Sequence, residues 1–180
     1  IVGCDISESA LKSVKYNRAA ANLFQLPFAS DTFDLVLSTD VIEHIPENLY
    51  KQVCDELLRV SKRYLLIAVP FCELLDYATV SCHHCGANYH VHWHQRNYSL
   101  ETILSLWEGK AAAKEYRYAG SRWPWTNQEL LTLRKELLGR HYPYSRAVCE
   151  SCEKSNGALP LNQAAGQLQR ELESLHYLHA

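Results

Sequence analysis

The fold class of this chain is decided by its first stretch, Ile1-Val2-Gly3-Cys4-Asp5-Ile6-Ser7. A short apolar run ends in an acid, and Ser7 and Glu8 then open a segment with the composition of a helix start. Nucleotide-binding α/β folds hold ribose hydroxyls with a carboxylate at the carboxyl end of a parallel strand. The stretch therefore predicts a parallel strand with Asp5 at a nucleotide-binding edge.

The next 60 residues continue an alternation of strands and helices. The apolar patterns predict strands over residues 1–4, 19–23, 33–38 and 64–69, and helices over 8–16 and 49–60. Residues 33–38 have the apolar composition of a parallel strand that is covered on both faces. This spacing predicts βαβ units, a mostly parallel sheet and therefore an α/β fold.

Composition narrows the class of protein. The chain has 180 residues, 47% of them hydrophobic, which is enough for one domain with a small appendage. A formal net charge of -2 gives no basic footprint, so nucleic acid is not an expected partner. No apolar run approaches the roughly 18 residues that span a bilayer, and we expect a cytoplasmic protein without a membrane partner. Composition leaves the oligomeric state open.

Three motifs follow one another in the first 44 residues: Asp5, the segment Asn22-Leu23-Phe24-Gln25-Leu26-Pro27-Phe28, and the segment from Phe33-Asp34-Leu35-Val36 to Glu43-His44. In this order they resemble the class I S-adenosylmethionine-dependent methyltransferases, in the type 11-like branch that carries LPF, FD-x-V and EH motifs. The resemblance covers residues 1–70, and it is weaker over 94–120. A dinucleotide-dependent dehydrogenase would also fit Asp5, but it would not fit the other two motifs.

The resemblance implies S-adenosylmethionine as cofactor and assigns residues that bind its adenosine half. Asp5 would accept hydrogen bonds from both ribose hydroxyls, and Ile6 would lie against the adenine ring. Asn22 would accept a hydrogen bond from the adenine amino group through its side-chain oxygen, and Leu23 would donate its backbone N–H to the ring. A competing interpretation makes Asp5 only a helix-capping residue.

The resemblance also implies that the carboxyl end of the third predicted strand lies at the active site. Thr39 and Asp40 would face the methionine portion of the cofactor. His44 is the predicted general base, because an imidazole with an unperturbed pKa of about 6.5 suits proton abstraction. The alternative is that Glu43 and His44 cap or brace the next helix. His94 is a second candidate base.

The resemblance also implies a glycine-rich strand, turn and helix that this sequence does not contain. In the family that strand lies between the Asp5 strand and the strand over 33–38. We therefore expect an N-terminally truncated chain with a Rossmann-like class I methyltransferase sheet that lacks its first strand and glycine-rich loop. Because backbone groups would be left unpaired, we expect the chain alone to bind cofactor weakly or not at all.

Four of the seven cysteines form two Cys-x-x-Cys pairs that resemble the knuckles of a zinc ribbon. The predicted zinc ligands are Cys82, Cys85, Cys149 and Cys152. Four thiolates would close the coordination sphere of Zn²⁺, so we assign the ion a structural role. Two alternatives stay open: a Cys2His2 site that combines the first pair with His90 and His94, and redox or disulfide pairing. Whether His90, His92 or His94 touches metal is also open.

Together these patterns predict a domain plan and a function. A partial methyltransferase domain spans 1–80 and 95–148, a zinc-ribbon-like element combines 81–94 with 149–154, and a C-terminal helix covers 160–180. The predicted reaction is methyl transfer to an oxygen or nitrogen atom of a small molecule or a glycan-type metabolite. The alternatives are a catalytically inactive, zinc-stabilised binding module and an RNA-modifying methyltransferase, of which the latter fits poorly with the near-neutral charge.

Overall fold

The structure is a computed structural model that describes residues 1–111, 115–120 and 146–155, together with positions 132, 167, 170 and 171. The chain divides into two compact units, Ile1–Pro70 and Phe71–Ala180. Half of the predicted segment over 95–148 lies outside the described residues, as does the predicted helix over 160–180 except for positions 167, 170 and 171. No helix in the described part of the chain has the length and apolar character needed to cross a membrane.

The first unit is built from parallel strand pairs. Its elements are β1 (Val2–Asp5), α1 (Glu8–Leu11), β2 (Asn17–Ala20), β3 (Phe33–Thr39), a 3₁₀ turn (Ile42–His44), α2 (Glu47–Val60) and β4 (Ser61–Ala68). β1 pairs with β2 in parallel and β3 pairs with β4 in parallel, which places Asp5 opposite Ala20 and Thr39 opposite Ala68. The predicted α/β class and the parallel pairing are confirmed.

Two details of this unit differ from the sequence prediction. β1–β2 and β3–β4 form separate two-stranded sheets in the described residues, not one mostly parallel sheet. The predicted cover on both faces of residues 33–38 is also wrong, since Leu35 and Leu37 are 55% and 62% exposed. The physical reason is that α2 supplies the packing for this strand pair through a single buried stripe that includes Val53 and Leu57.

The first helix is shorter than its sequence pattern indicates. We predicted a helix over 8–16, but α1 ends at Leu11. Beyond it the chain turns so that Val14 lies over Gly3, where an added Cβ would come within 2.9 Å of a Val14 methyl group. The contact requires a residue without a side chain at position 3. It lies where the chain leaves α1 and turns towards β2.

The second unit centres on an antiparallel hairpin. A 3₁₀ turn (Leu75–Ala78) leads into β5 (Thr79–Ser81), which pairs with β6 (Asn88–His90), and α3 (Leu100–Ser105) follows. Ser99 caps α3 in a reciprocal capping box with Thr102. Among the described residues, a buried cluster of this unit consists of Ala78, Val80, Cys82, Tyr89, Val91, Ala147 and Cys149.

Candidate cofactor edge and metal centre

Asp5 lies at the carboxyl end of β1, as its position in the sequence predicted. One carboxylate oxygen accepts the Ser7 backbone N–H at 2.7 Å, and Ser7 in turn caps α1 by accepting from Ala10 N. A carboxylate has about four lone pairs, so this contact leaves capacity for two ribose hydroxyls. The next residue, Ile6, is 72% exposed at the strand end, where an apolar ring could cover it.

Asn22 and Leu23 follow β2 in a tight turn. The Gln25 backbone N–H donates to the Asn22 carbonyl at 3.1 Å, and the Phe24 N–H approaches the Asn22 side-chain oxygen at 3.4 Å. The second distance is at the long end for a hydrogen bond, so the side-chain oxygen is held only loosely by the turn. Its predicted contact with the adenine amino group stays a prediction.

Thr39 and Asp40 close the carboxyl end of β3. Both are exposed, and the Asp40 backbone N–H donates to the Ala68 carbonyl at 3.0 Å, which ties this end to β4. Asp40 has a φ of 51°, which is uncommon for a residue other than glycine. Residues held in such conformations cluster at ligand sites, and this one lies where the resemblance implies the cofactor.

His44 ends the 3₁₀ turn Ile42–His44 beside a buried acid. Its Nε2 lies 3.9 Å from a carboxylate oxygen of Glu43, and 37% of the His44 side chain is exposed while none of the Glu43 side chain is. Ile42 is also fully buried, so the turn is anchored by its first two residues. The imidazole is thus oriented and accessible, as a general base requires, and it equally fits the bracing interpretation.

An ion pair on α2 holds the loop after β2, and the sequence analysis did not identify it. Arg59 binds both carboxylate oxygens of Glu56, at 2.6 and 2.8 Å, and donates to the carbonyls of Phe28 and Leu26. Glu56 accepts the Leu26 backbone N–H at 2.9 Å, and Gln52 donates to the Phe24 carbonyl. The i, i+3 spacing of Glu56 and Arg59 could have predicted the ion pair. It could not have predicted the contacts with the loop, because these join residues about 30 positions apart.

We expect Arg59→Ala to loosen this loop and to lower the thermal midpoint by several degrees. The change leaves the Glu56 carboxylate without its cationic partner, and it removes the side-chain donors of two backbone carbonyls. Lys51→Ala is the matched control, because Lys51 also pairs with an acid on α2, at 2.7 Å from Asp55, but is 84% exposed. An exposed pair of this kind contributes little, so differential scanning calorimetry should show almost no shift. Equal shifts for both variants would contradict the assigned role of Arg59.

The four predicted cysteines come together in the second unit. Cys82 and Cys152 have their sulfur atoms 3.5 Å apart, and those of Cys85 and Cys149 are 3.7 Å apart. A tetrahedron with Zn–S bonds of about 2.3 Å has edges of about 3.8 Å. Disulfide sulfurs would lie only about 2.05 Å apart. The donor set and its spacing fit a tetrahedral metal ion and do not fit disulfide pairs.

The thiols of this tetrad perturb one another. Burial acts to raise the pKa of Cys82, but the backbone N–H groups of Cys85 and His84 and contacts with neighbouring thiols lower it to about 6. The Lys154 backbone N–H acts to lower the pKa of Cys152, yet burial and the other three sulfurs raise it to about 12. One thiolate thus forms readily while another resists ionisation. A divalent cation at the centre would remove this conflict and allow all four protons to leave.

His90 and His94 do not complete a Cys2His2 set with Cys82 and Cys85. They contact Glu73 instead, at 3.4 Å for His90 Nε2 and 2.5 Å for His94 Nδ1. Burial acts to raise the pKa of Glu73, but hydrogen bonds from the two histidines outweigh it and leave the pKa below its ordinary value. The sequence analysis did not identify Glu73, which is 17 residues from His90 and belongs to no motif.

The parallel strands, with acids at the carboxyl ends of β1 and β3, have the arrangement that nucleotide-binding α/β domains use. Residues 1–66 match the family model described as "Methyltransferase domain". This part of the chain is thus similar to the methyltransferase domain family, which supports the resemblance seen in the sequence.

One curated relative matches a short segment of the chain. An uncharacterized protein of Methanocaldococcus jannaschii is 40% identical over 60 residues, which is 32% of this chain and 25% of that protein. The chain thus spans about a quarter of the length of the curated relative it matches. No solved structure matches the chain.

Proposed function

We propose that the chain is part of an S-adenosylmethionine-dependent methyltransferase. The observation that carries the proposal is Asp5 at the carboxyl end of β1, inside the region that matches the methyltransferase model. Asp5 would bind the ribose hydroxyls, Ile6 the adenine face, Asn22 and Leu23 the adenine edge. The methionine portion would lie against Thr39 and Asp40. The cofactor supplies an activated methyl group, so the protein's main task is to align the acceptor with it.

We also propose that the cysteine tetrad is a structural zinc site. Its S···S distances fit Zn²⁺, and four protein ligands leave no coordination position for a substrate. The ion would join the hairpin that carries Cys82 and Cys85 to the segment that carries Cys149 and Cys152. It would thereby add the free energy of metal binding to the stability of the apolar cluster that includes Cys82 and Cys149.

The acceptor is proposed to be an oxygen or nitrogen atom of a small molecule or a glycan-type metabolite. The net charge of -2 supports this choice over RNA, whose binding depends on neutralising phosphates. His44 would take the acceptor proton, because it is partly exposed and held in a turn by buried neighbours. The proposal places the protein in the cytoplasm.

We expect His44→Ala to lower methyl transfer by roughly 10²–10⁴-fold while cofactor affinity stays unchanged. The assay uses a form that carries the family's glycine-rich strand, turn and helix ahead of Ile1, because the chain alone is expected to bind little cofactor. It follows label from methyl-labelled S-adenosylmethionine into fractionated cell extract, and it separates small molecules, RNA and protein. His83→Ala, which removes an exposed histidine of the second unit, is the control. Full transfer by His44→Ala would overturn the base role, and label in the RNA fraction would favour the RNA-modifying alternative.

The cofactor proposal is tested by calorimetric titration of S-adenosylhomocysteine. Two proteins are compared: the chain itself, and a form that carries the family's glycine-rich strand, turn and helix ahead of Ile1. We expect binding by the second form and weak or no binding by the first. Micromolar affinity of the chain itself would refute the expected need for the glycine-rich segment, and failure of both forms would refute cofactor binding.

A second candidate function is a zinc-stabilised binding module without catalysis. The observation that raises it is that β1–β2 and β3–β4 are separate sheets in the described residues, whereas cofactor binding in the family uses one continuous sheet. A missing family strand between β1 and β3 would produce the same separation, so the titration with the glycine-rich segment distinguishes the two functions. If the chain is a binding module, neither protein of the titration would bind S-adenosylhomocysteine, and the zinc content of the chain would be unaffected.

A further inference from the structure

Three side chains of the second unit meet outside the cysteine tetrad. Glu73 Oε1 lies 3.4 Å from His90 Nε2, and Glu73 Oε2 lies 2.5 Å from His94 Nδ1. The two imidazole rings stack with centroids 4.7 Å apart and planes 19° from parallel. One donor atom from each of the three residues lies within 4.8 Å of the others. We call this group the Glu-His-His cluster.

The backbone around the cluster is built to hold it. The Cys72 N–H donates to the Tyr98 carbonyl at 2.8 Å, which fixes the segment that carries Glu73. Trp93 takes a φ of 59°, and its N–H donates to the His90 carbonyl, so the chain folds back between the two histidines. The Trp93 indole N–H donates to the Val148 carbonyl at 2.7 Å and anchors this turn.

The cluster contains a buried carboxylate whose charge needs compensation. Glu73 is 4% exposed, and its ionic partners among the described residues are the two histidines. Burial of a carboxylate without a cation is costly. An imidazole supplies positive charge only when it is protonated at both nitrogens. A divalent cation between the three side chains would compensate Glu73 at neutral pH without that requirement.

The ligand atoms of the Glu-His-His cluster indicate which cations it would bind. Two imidazole nitrogens and one carboxylate oxygen suit first-row transition ions such as Zn²⁺ and Co²⁺. Three protein ligands leave at least one position for water or another small ligand, unlike the closed cysteine tetrad. The cysteine tetrad and the Glu-His-His cluster lie at opposite ends of the β5–β6 hairpin. Cys82 follows β5 at the hairpin loop, whereas His90 pairs with Thr79, which is three residues before Cys82 and about 10 Å away along the strand.

One hydrogen-bond arrangement must change for metal to bind. His90 Nδ1 faces the backbone N–H groups of His92 and His94, each at 3.3 Å, so in the neutral ring Nε2 carries the hydrogen. Coordination at Nε2 moves that hydrogen to Nδ1 and displaces both contacts. These contacts are at the long end of the hydrogen-bond range, and their loss is a modest cost. The tautomer of His90 is therefore a direct reporter of metal binding.

We propose that Glu73, His90 and His94 form a second metal site, which binds a divalent first-row transition ion and leaves an open coordination position. The site is separate from the cysteine tetrad. It does not depend on the proposed methyl transfer, since its test needs neither cofactor nor acceptor.

The test is titration of Co²⁺ into the metal-free chain, followed by visible absorption and by metal analysis. Cobalt bound to the tetrad gives intense thiolate-to-metal charge-transfer bands, whereas cobalt bound to two imidazoles and a carboxylate does not. We expect two ions per chain, with the thiolate bands complete at one equivalent. With Zn²⁺, ¹⁵N shifts of His90 should report the change of tautomer.

Glu73→Gln and His94→Asn should each weaken the second ion at least tenfold and leave the thiolate bands intact, since even supporting residues of metal sites contribute about 10–100-fold. His83→Asn is the control, because this exposed histidine lies outside the cluster. A count of one ion for the wild-type chain overturns the proposal, as does wild-type affinity for the second ion in both variants. If a variant loses the thiolate bands as well, the number of ions bound by the wild-type chain and the His90 tautomer decide whether the second site exists.

Discussion

Cys149→Ser is expected to unfold the second unit and to remove its tetrad metal ion. Cys149 is fully buried in the apolar cluster that surrounds the tetrad, and its sulfur lies 3.7 Å from that of Cys85. Structural zinc supplies about 10–16 kcal/mol to the folding of zinc-finger peptides, which a small core cannot replace. Loss of one ligand leaves three thiols around an incomplete site, so the stabilisation is lost with the ion.

The measurement is zinc content together with near-ultraviolet circular dichroism and a thermal melt. Cys72→Ser is the matched control, because Cys72 is an exposed thiol of the same unit outside the tetrad. We expect the control to retain the tetrad ion and the wild-type midpoint, and we expect a chelator to reproduce the effect of Cys149→Ser on the wild-type chain. A folded Cys149→Ser chain without metal would show that the tetrad does not hold this unit together.

Asp5→Ala is expected to weaken cofactor binding by roughly 100- to 10,000-fold, because two hydrogen bonds to a charged group contribute about 1.5–3 kcal/mol each. The titration uses S-adenosylhomocysteine and the form that carries the glycine-rich segment. Asp5 also accepts the Ser7 N–H, so a melt is needed to separate lost binding from lost capping.

Asp34→Ala is the control for this experiment, since Asp34 is an exposed acid within β3 and has no assigned role in binding. A normal melt with lost binding identifies Asp5 as a cofactor ligand. Unchanged affinity in Asp5→Ala would leave the capping interpretation as the whole account of this residue.

Local patterns in the sequence predicted several features because their physical causes lie within a few residues. The apolar run before Asp5 is a strand, Ser7 and Glu8 begin a helix, and each Cys-x-x-Cys pair forms one half of a tetrad. In each case the backbone of a short segment determines which groups can meet.

Features that depend on distant residues were missed or mistaken. The contacts of Arg59 with the Phe28 and Leu26 carbonyls join residues 31 and 33 positions apart, and no periodicity signals them. The exposure of Leu35 and Leu37 was also mistaken, because an apolar strand looks the same whether one face or both faces are covered.

The sequence by itself determined the α/β class, the similarity of residues 1–66 to a methyltransferase domain and the residues of the tetrad, since each is encoded in short-range patterns or in ordered motifs. Only the tertiary structure decided that Glu73 joins His90 and His94, and that the four cysteines take the spacing of a tetrahedron. The physical reason is that charge compensation and metal coordination depend on distances between side chains, and the fold sets those distances across long stretches of chain.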